Sequence, residues 1–161
     1  MIVVFLPFSE YIAAEENLAV NELSLNLSKN ALIAPAEGNV RSYFGPRIVL
    51  QQEQKHLGVD ISSAENDGVY VVADGYVAEL FTECTAIGHV GSVCGNGYGN
   101  YIQIQHEIDG QKFETLYAHL GETLVQKGEF VNINDQIVTI GSSGNTAGKS
   151  TPFRISYTQK E

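Results

Sequence analysis

The chain has 161 residues and a formal net charge of −10, from 9 Lys and Arg against 19 Asp and Glu. That length suits one domain with a sizeable core. The acid excess argues against binding phosphate backbones or a polybasic attachment to membranes, both of which rest on Lys and Arg. The 16 glycines, against 4 prolines and no tryptophan, point to frequent tight turns and hence to β structure.

Residues 2–8 form a short apolar run interrupted by Pro7 and followed by Glu10. With no basic residue ahead of it, it lacks the pattern of a secretory leader, and it falls far short of the about 20 apolar residues of a membrane span. It reads as a buried strand, or else as a trimmed or unusual leader or a docking strand for a partner. Residues 9–21 suit a short helix, with Ser9 as N-cap and Glu15 and Glu16 on a polar face. Leu23, Leu25 and Leu27 then alternate with polar neighbours as in a half-buried strand. Residues 1–33 are therefore expected to be an N-terminal extension of strand, short helix and strand, and residues 34–161 the main domain.

A turn-rich stretch over 35–46 opens that domain. Strand-like runs follow at 69–73, 76–81, 101–106, 113–119, 130–132, 136–140 and 153–157, punctuated by Asp74-Gly75, Asp109-Gly110, Asn134-Asp135 and the segment 141–148. Short strands, frequent turns and hardly any helical period predict a mainly β, antiparallel architecture.

Cys84 and Cys94 lie ten positions apart, with His89 between them. The pair admits a disulfide, half of a metal site or two independent thiols. A zinc site normally has closer cysteine pairs, so the disulfide is favoured, and with it an oxidising compartment. The chain has four histidines: His56, His89, His106 and His119. His56 and Asp60 form an H-x-x-x-D pair, whose imidazole nitrogen and carboxylate oxygen suit Zn²⁺; by itself the pair also reads as a chance juxtaposition in a surface turn. His106 shares a strand face with Ile102 and Ile104 and reads first as a structural histidine. Alternation over 113–119 places Phe113, Thr115, Tyr117 and His119 on one face.

The order of motifs narrows these readings. Phe44-Gly45-Pro46-Arg47, His56-x-Gly58-x-Asp60-Ile61 and Val72-Ala73-Asp74-Gly75-Tyr76-Val77 are followed by Gly97-Tyr98-Gly99-Asn100 and His106. Tyr117-Ala118-His119-Leu120, Lys127-Gly128 and Ile140-Gly141-Ser142-Ser143-Gly144-Asn145-Thr146 complete the series. Over about residues 35–157 the chain resembles the lysostaphin/LytM-type zinc endopeptidases. The resemblance implies an antiparallel β-sheet groove that holds one Zn²⁺ and cuts the peptides of bacterial peptidoglycan. It also implies that His56 and Asp60 are zinc ligands, that His119 is a catalytic histidine beside the metal-bound water, and that Tyr117, Asn100 and His106 belong to the substrate groove. Zinc in such a site activates water and polarises the scissile carbonyl while imidazoles move protons.

The chain departs from this family at its last motif. Where members carry His-x-His, a gapless alignment places Arg154 at the second catalytic histidine and Ser156 at the third zinc ligand. A neutral serine hydroxyl is a poor zinc ligand, and a guanidinium takes up no proton at neutral pH. Three expectations follow in order of preference. The first is a catalytically impaired domain that binds peptidoglycan and acts as a regulatory or structural module, with zinc weakly held or absent. The second is an active zinc endopeptidase with an altered ligand set. The third is a structural part of an envelope or wall-penetrating assembly with a protein partner. All place the chain in the periplasm, outside the cell or in a virion or envelope assembly, without a membrane span.

Overall fold

The computed structural model describes residues 32–49, 51–56, 58–62, 68–85, 87–108, 110–145 and 153–154. The strands are β1 (Asn39–Ser42), β2 (Gly45–Val49), β3 (Gln52–His56), β4 (Asp60–Ser62), β5 (Gly68–Tyr70) and β6 (Gly75–Phe81). They continue with β7 (Tyr101–Ile108), β8 (Gln111–Tyr117), β9 (Leu120–Thr123), β10 (Phe130–Val131), β11 (Gln136–Ile140) and β12 (Phe153–Arg154). Every pairing is antiparallel. The strand orders are β10-β6-β7-β8, β5-β11-β9, β1-β4-β12 and the hairpin β2-β3.

Alternation builds the four-stranded sheet. In β7 the buried positions are Ile102, Ile104 and His106, and in β6 Val77 faces the same way, in register with Ile104. Ile108 pairs with Gln111 at the close of the β7–β8 hairpin, and Gly110 supplies the positive φ that such a tight connection favours. Val69, Val71, Ile137, Val138 and Leu120 join Val77, Ile102, Ile104 and Tyr117 in one buried cluster that also takes in Ile61 of β4, so the core draws on the four-stranded sheet and both three-stranded sheets. Truncating one of these, Ile102→Ala for example, costs about 2–5 kcal/mol.

The mainly β, antiparallel architecture agrees with the sequence expectation, and several details correct it. The stretch 35–46 is not only turns: it holds β1 and the start of β2. The run at 69–73 is strand only as far as Tyr70, and that at 113–119 ends at Tyr117. His119 follows with φ +57, which breaks the alternation that put it on the face of Tyr117. The two strands and the short helix expected in residues 1–31 lie outside the described residues. At the close of that extension Leu32 packs on the core, and the Ile33 N–H donates to the Val72 carbonyl.

Candidate functional site

The hairpin β2–β3 and the strand β4 bring one charged group together. Gly45 pairs with His56 and Arg47 with Gln54 across the hairpin, so Arg47 and His56 leave it near the start of β4, where Asp60 sits. His56 is buried, 1% exposed, rather than standing in a surface turn. Its Nδ1 lies 2.9 Å from the Tyr43 carbonyl oxygen and 3.2 Å from Ser42 Oγ. A carbonyl only accepts, so the proton belongs on Nδ1, and Nε2 faces Asp60 Oδ1 at 3.0 Å. That is the ring orientation expected of a metal-binding histidine. Asp60 Oδ2, however, is paired with Arg47 Nη1 at 3.2 Å, and the same nitrogen donates to Ser42 Oγ at 3.1 Å. Arg47 Nε is buried with no hydrogen-bond partner. Next to this group, Arg41 Nε donates to Ser62 Oγ at 2.7 Å.

On the other side of β4, β12 pairs Phe153 with Ile61 and Arg154 with Asp60, and it also approaches β8. The residue opposite Asp60 in the sheet is thus Arg154. Ser156 lies outside the described residues.

His119 belongs to a different network. Its N–H donates to the Tyr98 carbonyl at 2.7 Å and its carbonyl accepts from Gly141 N–H at 3.1 Å. Its Nδ1 donates to the Ser143 carbonyl at 2.8 Å. Ser143 Oγ accepts from Asn100 N–H at 2.8 Å and donates to the Leu120 carbonyl at 3.0 Å. Gly99 fits here only without a side chain: its φ is +68, and a Cβ would fall on the backbone of Ser143. In the sequence the only signal for Ser143 is its place in the Gly141-Ser142-Ser143-Gly144 motif.

Cys84 and Cys94 are joined by a disulfide. The loop it closes is tied to the segment carrying Ser143: Gly88 N–H donates to Ser142 O, His89 N–H to Gly144 O, and Gly91 N–H to Asn145 Oδ1. The imidazole of His89 is exposed, with Nδ1 donating to the Val90 carbonyl at 3.1 Å.

The three residues expected to line a groove are buried and do not offer a polar surface. Asn100 Oδ1 accepts from Cys84 N–H at 2.9 Å, and its Nδ2 donates to Cys84 O at 3.2 Å. His106 uses both ring nitrogens, on Asp74 O at 2.9 Å and Thr115 Oγ1 at 2.8 Å, and stacks on Phe113. Burial pushes its pKa down. Tyr117 is fully buried, its hydroxyl accepting from Val72 N–H at 3.2 Å, and burial pushes it up to about 12. All three brace strands and loops from within, because burial obliges their polar atoms to bond inside the fold.

A family model described as peptidase family M23 matches residues 54–161. The chain belongs to that family. Among curated relatives it is 31% identical over 126 residues to the murein hydrolase activator NlpD of Escherichia coli, covering 78% of this chain and 28% of that protein. The chain therefore spans little more than a quarter of the length of this relative. The solved structure of LytU superposes with a TM-score of 0.59 at 19% identity, over 77% of this chain and 75% of that one. A zinc-containing peptidase from Vibrio cholerae superposes with a TM-score of 0.56 at 23% identity, over 82% and 36%.

Zinc is thus present in one fold neighbour of this M23 domain. A hydrolytic zinc is normally held by three protein donors with a fourth position open. Among the described residues no group of three or more His, Cys, Asp or Glu side chains is placed to hold a metal ion. His56 and Asp60 offer two donors, and the guanidinium of Arg47 already compensates the carboxylate. The described residues do not complete a zinc site.

Proposed function

We propose that this M23 domain binds peptidoglycan or its peptides without cutting them and serves as a regulatory or structural module of the bacterial envelope. In this reading residues 34–161 are the domain, residues 1–33 an extension, and zinc is weakly held or not held. The observation that carries it is that the sequence has no histidine after His119, so no alignment of the last motif can supply the His-x-His pair that a zinc endopeptidase of this kind uses as ligand and proton carrier. The residue types at the last motif support it too. Arg154 stands where a proton-transferring histidine would act, and Ser156 where a third ligand would bind. The name of the relative NlpD, an activator of murein hydrolases, supports a regulatory role, and the disulfide supports an oxidising location, periplasmic, extracellular or in a virion or envelope assembly.

A second reading keeps activity. His56 is set to present Nε2 towards Asp60, and His119 has its Nδ1 proton fixed by Ser143, both as a zinc hydrolase would need. Under it His56 and Asp60 bind zinc and His119 is the catalytic histidine. A third, a structural part of an envelope assembly with a protein partner, rests on the apolar N-terminal run. Zinc content of chelator-free protein, measured beside digestion of purified sacculi, separates the readings. Sedimentation of the protein with sacculi, without released fragments and with substoichiometric zinc, is the expected result. Stoichiometric zinc with released muropeptides would overturn it. Arg154→His with Ser156→His is expected to raise zinc affinity and restore cutting.

A further inference from the structure

Asn100 joins the disulfide to the loops around His119. Its side chain brackets the Cys84 peptide: Oδ1 accepts from the Cys84 N–H at 2.9 Å, and Nδ2 donates to the Cys84 carbonyl at 3.2 Å. Its main chain serves the other partner. The Asn100 N–H donates to Ser143 Oγ at 2.8 Å, and its carbonyl accepts from Leu120 N–H at 3.0 Å. The Cys94 carbonyl in turn accepts from Gly99 N–H at 3.1 Å. With the disulfide in place these links close a ring that runs from Cys84 through sulfur to Cys94, on to Gly99 and Asn100, and back to Cys84. His119 is held by the same short stretch: its N–H bonds to the Tyr98 carbonyl, and its Nδ1 bonds to the carbonyl of Ser143. Both cysteines are half-buried and their neighbours Thr85 and Val93 are exposed, so the bridge lies at the surface rather than in the core.

We propose that the Cys84–Cys94 bridge is a redox-sensitive latch on the seat of His119, acting through Asn100. The reductant is a dithiol. Its thiolate attacks one sulfur of the bridge, the bond between the two cysteine sulfurs breaks, and the sulfur released takes up a proton. The second thiol of the reductant then resolves the mixed disulfide, which leaves two cysteine thiols and a disulfide-bonded reductant. Two electrons and two protons have passed to the protein. The Cys84 peptide is then held at the Asn100 amide by hydrogen bonds alone, and without the covalent link its effective concentration there falls. The ring opens more often, and with it the bonds from Asn100 to Ser143 and from His119 to Tyr98. The seat is tight in the oxidised form and loose in the reduced one. The inference goes beyond the non-cutting reading and does not depend on it, because the seat can be read without zinc, peptide or sacculi.

The test is amide hydrogen exchange of the whole chain before and after dithiothreitol. Reduction is expected to speed exchange at Asn100, His119 and Leu120 by at least ~10-fold beyond any change at Val71, whose N–H bonds to the Asp135 carbonyl outside the ring. Ring nitrogen shifts of His119 are expected to move towards a mixture of tautomers, and oxidised glutathione is expected to restore both readings. Asn100→Ala should exchange fast at His119 and Leu120 already in the oxidised form, and gain little more on reduction. Cys84→Ala with Cys94→Ala, which keeps Asn100, should match the reduced chain and ignore dithiothreitol. Equal acceleration at Val71 and at the seat would mean that the bridge only stabilises the domain as a whole, and would overturn the proposal. Unchanged His119 shifts on reduction, or full redox sensitivity in Asn100→Ala, would overturn it as well.

Discussion

The Ser143 carbonyl oxygen accepts a 2.8 Å hydrogen bond from Nδ1 of His119, and so sets which ring nitrogen of that histidine carries the proton. The Ser143 hydroxyl holds the carbonyl in position through its bonds to Asn100 and Leu120. Ser143→Ala leaves a buried Asn100 N–H without its acceptor, at a cost of about 1–3 kcal/mol. Urea unfolding is the measurement, and nitrogen chemical shifts of the His119 ring are expected to show a less fixed tautomer in the variant. Unchanged stability and shifts would mean that the hydroxyl does not support this seat.

His106 gives the domain an acid limit. Its pKa is lowered by burial, so the unfolded chain binds the proton more readily than the folded one. Its contribution is complete above the ordinary value of about 6.5 and is lost as pH falls below it. Stability is expected to drop between about pH 7 and pH 5, and more weakly in His106→Leu, where no group titrates. Urea midpoints at both pH values for the two proteins provide the check; parallel pH slopes would count against it.

Tyr117 sets the alkaline limit by the opposite sign. Its pKa is raised from 10.0 to about 12 by burial, so stability present below pH 10 is lost as the pH rises towards that value. In an absorbance titration of the phenolates, one tyrosine is expected to ionise last, together with unfolding. Tyr117→Phe should remove that late step, and its survival in the variant would assign it to another tyrosine.

The Cys84–Cys94 bridge closes a short loop, which corresponds to about 2–3 kcal/mol in the chain-entropy view. The double variant Cys84→Ala with Cys94→Ala should lose that amount in denaturant. It should also exchange the Gly88 and His89 amide protons faster, since these bond to the Ser142 and Gly144 carbonyls. A loss of stability without faster exchange would detach the bridge from the His119 seat.

What could be read from the chain alone depended on which residues carried a signal. The strands β6 and β7, with alternating burial, and β11, with the adjacent buried pair Ile137 and Val138, were visible because their apolar residues recur between turn residues. The hairpin β2–β3 was not. Gln52, Glu53 and Lys55 are exposed polar residues with no period to read, and the turn between the strands uses Gln51 at φ +64, where glycine or asparagine would be the usual sign. The same hairpin brings Arg47 to Asp60, a contact between residues thirteen apart that no local pattern reports. His56 and Asp60 could be paired from their spacing. His119 could be identified by its motif, but its placement could not, because a positive φ at a histidine is not written in the alternation around it.

The loops around His119 are joined largely through peptide groups. Gly88, His89, Gly141 and Asn145 each donate a main-chain N–H to a main-chain carbonyl, on Ser142, Gly144, His119 and Gly97. Such ties do not depend on which side chains the residues carry, provided the backbone can follow the same path. A lineage can therefore exchange the chemical groups on neighbouring strands, ligands included, while these loops keep their course. The scaffold and its reactivity are free to evolve at different rates.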